Sequence, residues 1–241
     1  MPIKETIDDD LMNRVTGYIA LVGALIAGLM ALVLFVVSLV LPLELAVLLA
    51  MAFGLMLTGA FHEDGLADTA DGFGGGWLQQ QKLTIMKDSR VGTYGASALI
   101  MALLIRFQAL LLLAEVSINT AIASLVFAHM LSRIAAVSLI PAMDYVQIDG
   151  EAKTKPVAKR LEPDSVRLLL VSSVIALLFA FVALALSLTD IVILLFVLAA
   201  ARALFIRVSR QQIQGYTGDV LGAAQQVFEI ICFCVIFCRL I

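Results

Sequence analysis

Four carboxylates, Glu63, Asp64, Asp68 and Asp71, fall within nine residues of the segment His62-Glu63-Asp64-Gly65-Leu66-Ala67-Asp68-Thr69-Ala70-Asp71-Gly72. No Lys or Arg occurs between Arg14 and Lys82 to neutralise them in sequence. On a helix, Asp64, Asp68 and Asp71 share one face at i, i+4 and i+7, where like charges repel. A divalent cation, or a substrate carrying one, relieves that repulsion. Mg²⁺ suits such a segment, because this hard ion keeps several waters and binds through one or two carboxylates plus substrate phosphates. An acidic, solvated loop is the plainer alternative. Such a loop has no need of Gly and Ala at the intervening positions, whereas Gly59, Gly65 and Gly72 let the backbone bend or a neighbouring helix approach closely.

Two further segments carry polar chemistry. Met86-Lys87-Asp88-Ser89-Arg90-Val91-Gly92-Thr93-Tyr94-Gly95 sets two cations and a hydroxyl before a helix start, a combination that binds phosphate; plain juxtamembrane anchoring by Lys87 and Arg90 is the alternative. Gln214-Gly215-Tyr216-Thr217-Gly218-Asp219-Val220-Leu221-Gly222 reads as a tight turn around one acid. Asp219 is there either an added metal ligand or a local turn acceptor. Just beyond, Gln225 and Glu229 share a helix face at i, i+4.

The elements that must position these groups are membrane helices. The chain has 241 residues, 62% hydrophobic and 15% charged, with a mean hydropathy of +1.04, against roughly half apolar and a quarter charged in soluble domains. Apolar windows able to cross a core of about 30 Å lie at 15–41, 43–61, 95–114, 117–141, 167–188, 190–206 and 224–241. The reading is an all-α polytopic membrane protein with about seven transmembrane helices, six to eight because the second and sixth windows are short. Residues 1–14 are acidic and polar and do not read as a secretory leader. Cys232, Cys234 and Cys238 have no metal-ligand spacing and read as free thiols, packed or lipid-facing.

Charge sorts the loops. Lys and Arg gather before the first span and in the loops 62–94, 142–166 and 207–223, and are missing from the short turns between. The positive-inside rule then puts the N-terminus and every long loop in the cytoplasm, and with them the acidic segment. The whole chain, 1–241, reads as one integral-membrane domain. Within the spans, Arg106, His129, Arg133, Arg202 and Glu229 are costly, roughly 2.5–3.5 kcal/mol for a central Arg or acid. His129 and Arg133 point the same way at i, i+4, which suits an anionic group; snorkelling explains Arg202 and Arg133 equally well, and packing alone accounts for His129. The basic stretch 151–160 meets anionic lipid or anionic substrate.

The segments Thr58–Gly72, Met86–Gly95 and Tyr216–Gly222, in this order, resemble the cobalamin synthase family, the adenosylcobinamide-GDP ribazoletransferases, from about Tyr18 to the C-terminus. The beginning departs from the resemblance: residues 1–14 lack the aromatic-Thr-Arg-Leu-Pro-like stretch that relatives carry before the first span, which puts an interfacial substrate-binding segment in question. The resemblance implies a transferase that joins adenosylcobinamide-GDP to α-ribazole, or its 5′-phosphate, with Mg²⁺ as cofactor. The products are adenosylcobalamin, or its phosphate, and GMP.

On that reading Glu63, Asp64, Asp68 and Asp71 hold one or two Mg²⁺ ions, with Asp88 as an outer ligand. Asp68 or Asp71 is the catalytic base. His62, Lys87, Ser89, Arg90, Arg133 and Asp219 bind substrate. Membrane lipid is an expected partner and nucleic acid is not; a homo-oligomer, or association with other late cobalamin-assembly enzymes, stays open. An intramembrane Asp-rich prenyltransferase would be expected to show a second Asp-rich helix. A transporter would spread its charges along a path at mid-membrane depth, whereas here they gather at one end of the spans.

Overall fold

The structure is a computed structural model that describes residues 9–146 and 157–240. Its elements are helices throughout: α1 (Asp9–Val15), α2 (Ile19–Ser38), α3 (Leu43–Thr58), α4 (Phe61–Gly75), α5 (Gln79–Met86), α6 (Thr93–Val116), α7 (Ile118–Val137), α8 (Pro163–Ala183), α9 (Leu188–Ile213) and α10 (Gly218–Leu240). Among the described residues six spans, α2 (extended through α1) and α6 to α10, are long and apolar enough to cross a membrane. The expected all-α polytopic architecture therefore stands, with two boundary corrections.

The first correction concerns the second span. Helix α3 ends at Thr58 after 16 residues, about 24 Å at 1.5 Å per residue, and the chain then turns by 85° into α4. Gly59 (φ +63°) and Ala60 (φ +54°) make the turn in left-handed conformation, which costs nothing for the glycine and strains the alanine. The expected 62–94 loop is thus two helices, α4 and α5; α4 packs along α6 and α10, its first turn reaching Arg106 and Gln226 and its later turns the start of α6. The second correction lengthens the sixth span. Helix α9 runs 26 residues, to Ile213, so most of the expected 207–223 loop is helix and only 214–217 connects it to α10.

Helices α7 and α10 form the centre: 72% and 61% of their apolar windows are buried, against 22% for α8 and 17% for α9. Small residues make this possible. Ala121, Ala128, Ser132 and Ala136 on α7 are buried, and a Cβ on Gly23 of α2 would come within 2.5 Å of the His129 carbonyl oxygen, so the two backbones approach closely. Helices α2, α8 and α9 leave Leu25, Leu32, Leu170, Leu178 and Phe196 exposed, as a lipid-facing surface requires. Helix ends away from α4 are locally capped, with Ser117 accepting from the Thr120 N–H and Ser187 from the Asp190 N–H.

The polar end is tied together across long sequence separations. Asn13 accepts from the N–H groups of Lys159 and Arg160. The Tyr216 hydroxyl donates to the Ala158 carbonyl at 2.8 Å, and Tyr145 and Tyr216 form a parallel backbone bridge. Lys153 and Lys155 of the basic stretch lie outside the described residues.

Candidate functional site at the α4 end of the bundle

The four acids of the opening segment lie on α4 as expected, but tertiary contacts divide them. Asp64 is exposed and Asp68 half-buried, whereas Glu63 (6% exposed) and Asp71 (7%) are buried. Asp71 accepts the backbone N–H of Gly92 at 2.6 Å and of Gly95 at 2.8 Å. These are free amides at the start of α6, whose own N-cap residue is a glycine with no side chain to satisfy them. A carboxylate there is favoured by hydrogen bonding and by the helix dipole. Only glycine fits at either position, because a Cβ on Gly95 would overlap the Asp71 carboxylate and one on Gly92 would come within 2.5 Å of it. Asp71 therefore anchors α6 to the far half of α4.

Glu63 turns inward. Its Oε1 accepts from Arg106 of α6 at 3.0 Å and from Gln226 of α10 at 3.2 Å. The same Arg106 nitrogen also donates to Gln226 at 3.1 Å and lies 3.5 Å from Glu229. Glu229 accepts from Gln225 at 2.6 Å, so the expected i, i+4 pairing holds, and Gln225 reaches Ser132 of α7. His129 Nδ1 lies 3.6 Å from Glu229, and Arg133 lies 4.0 Å from it while donating to the His129 carbonyl. His62, Glu63, Arg106, His129, Arg133, Gln226 and Glu229 line a narrow cleft together with Ile26, Met30 and Met51.

Arg133 and His62, expected to bind substrate, thus sit with this interior network. Arg202 likewise caps the C-terminus of α7, donating to the Ser138 hydroxyl at 2.8 Å and carbonyl at 2.7 Å. Arg106 and Gln226 were missing from the expected site. The signal in the sequence is that an arginine and an acid inside a membrane pair with one another, which joins Arg106 to Glu229.

The second segment is a turn between α5 and α6. Arg90 and Asp88 form a bidentate pair, with 2.5 Å between Nη2 and Oδ2, and the guanidinium holds the Asp88 carboxyl down at about 2. Lys87, Ser89 and Arg90 are exposed. The third segment meets α4 directly, since a Cβ on Gly65 would stand 2.8 Å from the Asp219 carbonyl oxygen, and Gly222 faces the His62 backbone. Thr217 supports the start of α10, accepting from the Val220 N–H, and its hydroxyl lies 3.3 Å from the Asp219 carboxylate. All three segments therefore converge on α4.

Among the described residues no three His, Cys, Asp or Glu side chains come together as a metal-holding group. The donor set still fits Mg²⁺, which needs only one or two protein carboxylates beside phosphate and water. Asp64, exposed, and Asp68, half-buried, are hard oxygen donors one helical turn apart that meet that need.

The chain is similar to known proteins along nearly its whole length. The family profile described as cobalamin-5-phosphate synthase matches residues 1–237, so the first 14 residues fall inside the family match, which begins before Tyr18. Adenosylcobinamide-GDP ribazoletransferases of Shewanella putrefaciens, Shewanella baltica and Shewanella oneidensis are 47%, 46% and 45% identical over 236 residues, 98% of this chain and 88% of each relative. No solved structure matches. A whole-length family match and this level of identity, on a chain whose three polar segments meet at one helix, show that the protein belongs to the cobalamin-5-phosphate synthase family.

Proposed function

We propose that this protein is an adenosylcobinamide-GDP ribazoletransferase of the bacterial inner membrane, with its site on the cytoplasmic side and Mg²⁺ as cofactor. The reaction follows from the name its relatives carry. The observation that supports this reading is that exposed Asp64 and half-buried Asp68 lie on α4, the helix that meets α6 and α10 at the end of the bundle where both begin. Lys and Arg concentrate at this same end, which supports its cytoplasmic orientation.

The reaction moves a phosphoryl centre between two oxygens. A hydroxyl of α-ribazole attacks the phosphorus that carries the corrinoid, a new P–O bond forms, and the bond to the bridging oxygen breaks to release GMP. Asp64 and Asp68 would hold Mg²⁺, which when bound would supply charge neutralisation for the diphosphate and the departing GMP. Asp68, closer to the protein interior, accepts the hydroxyl proton. Lys87 and Arg90 bind phosphate oxygens, with Ser89 beside them. Asp88 orients Arg90 through their bidentate pair, and Asp219 closes the far side of the α4 surface.

The test is GMP release by purified protein given adenosylcobinamide-GDP and α-ribazole, with and without Mg²⁺, and with a prenyl diphosphate as control donor. GMP formed only with Mg²⁺ and the corrinoid donor is the expected result. Turnover of the prenyl diphosphate alone would overturn the assignment.

A further inference from the structure

We propose that Arg106 is a positioning residue for the transfer reaction, holding the first turn of α4 so that Asp64 and Asp68 face the substrate. This rests on the function proposed above. Helix α4 begins after an 85° bend at Ala60, which offers no side-chain cap, and its first turns pack on α10, with Gly222 facing the His62 backbone. A further restraint comes from the interior. Glu63, in the first turn of α4, is gripped by Arg106 at 3.0 Å and Gln226 at 3.2 Å, and the same guanidinium nitrogen lies 3.5 Å from Glu229. One buried cation therefore ties α6 to both α4 and α10, next in sequence to Asp64. A planar guanidinium serves this junction better than an ammonium, which is a compact charge on a flexible stem. At the other end Asp71 holds the start of α6, so two acids of α4 fix the helix at both ends, on either side of Asp64 and Asp68.

The experiment compares Arg106→Gln, Arg106→Lys and the double variant Glu63→Gln/Arg106→Gln in detergent, reading kcat, donor KM and thermal midpoint. The double variant removes one charge of each sign and leaves Glu229 with Arg133, 4.0 Å away. Arg106→Gln is expected to lower kcat by about 10²-fold, the scale of a 1 Å misplacement, with donor KM changed less than about threefold. The double variant is expected to regain thermal midpoint and not kcat. Should Arg106→Gln fail to fold, Arg106→Lys supplies the same reading, with charge kept and kcat still reduced. Recovery of kcat together with thermal midpoint in the double variant would reduce Arg106 to a charge balance and overturn the proposal. So would a raised donor KM at unchanged kcat, which would place Arg106 on the substrate. Failure of the functional reading is told apart from these, because the wild-type protein itself would then release no GMP.

Discussion

Asp71 on α4 and Gly95 on α6 meet at 2.8 Å, carboxylate oxygen to backbone N–H, so one acid of the cluster spends its charge on the start of a membrane helix. That contact joins the acidic segment to the Lys87–Arg90 turn, which runs directly into α6.

Asp71→Asn is accordingly expected to lower thermal stability together with activity. The amide keeps one acceptor and turns an NH₂ toward a second backbone donor, forfeiting a charged hydrogen bond of about 1.5–3 kcal/mol. Thermal unfolding and GMP release measured on one preparation check this; full loss of turnover at unchanged thermal midpoint would instead identify Asp71 as the base.

Asp64→Asn and Asp68→Asn behave oppositely. Each is expected to reduce GMP release by about 10²–10³-fold. For exposed Asp64 the change in stability stays within about 0.5 kcal/mol. Near-normal turnover in both variants would remove Mg²⁺ and the base from these residues.

Gly65→Val tests the contact of α4 with α10. The new side chain meets the Asp219 backbone, where even a Cβ stands 2.8 Å from the carbonyl oxygen, and overpacking of this kind costs about 1–3 kcal/mol. A lower thermal midpoint and a loss of GMP release are expected together.

Asp88 gives a pH prediction. Arg90 depresses its folded pKa to about 2, below the ordinary carboxylate value of about 3.9. The pair therefore contributes fully above the unfolded value and is lost as pH falls through about 2. Carboxyl NMR of Asp-labelled protein should place the Asp88 midpoint near about 2, and Arg90→Ala should return it toward about 3.9. An unmoved midpoint would refute the pairing.

Orientation is checked by thiol labelling in a background with Cys232, Cys234 and Cys238 replaced. Lys87→Cys is expected to react with an impermeant maleimide only after the inner membrane is opened, and Glu115→Cys in intact spheroplasts. The reverse pattern would invert the topology.

Composition and hydropathy alone determined that this chain is helical and built for a membrane, because 62% hydrophobic content in span-length runs has no soluble solution. Local spacing likewise identified the acidic segment, the Lys87–Arg90 turn and the Gln225–Glu229 pair, since each rests on neighbours within one or two helical turns. Three-dimensional packing decided how the acids were shared. Helical periodicity grouped Asp64, Asp68 and Asp71, yet it carries no information on which neighbouring helix offers free amides or a buried arginine. Gly92 and Gly95 lie 21 and 24 residues beyond Asp71, and Arg106 lies 43 beyond Glu63. Gly59 marked a place where the backbone could bend, but the 85° angle of the turn depends on the α6 and α10 partners that α4 meets beyond it. Those long-range partners turned a single cluster of four acids into two anchors and two outward carboxylates.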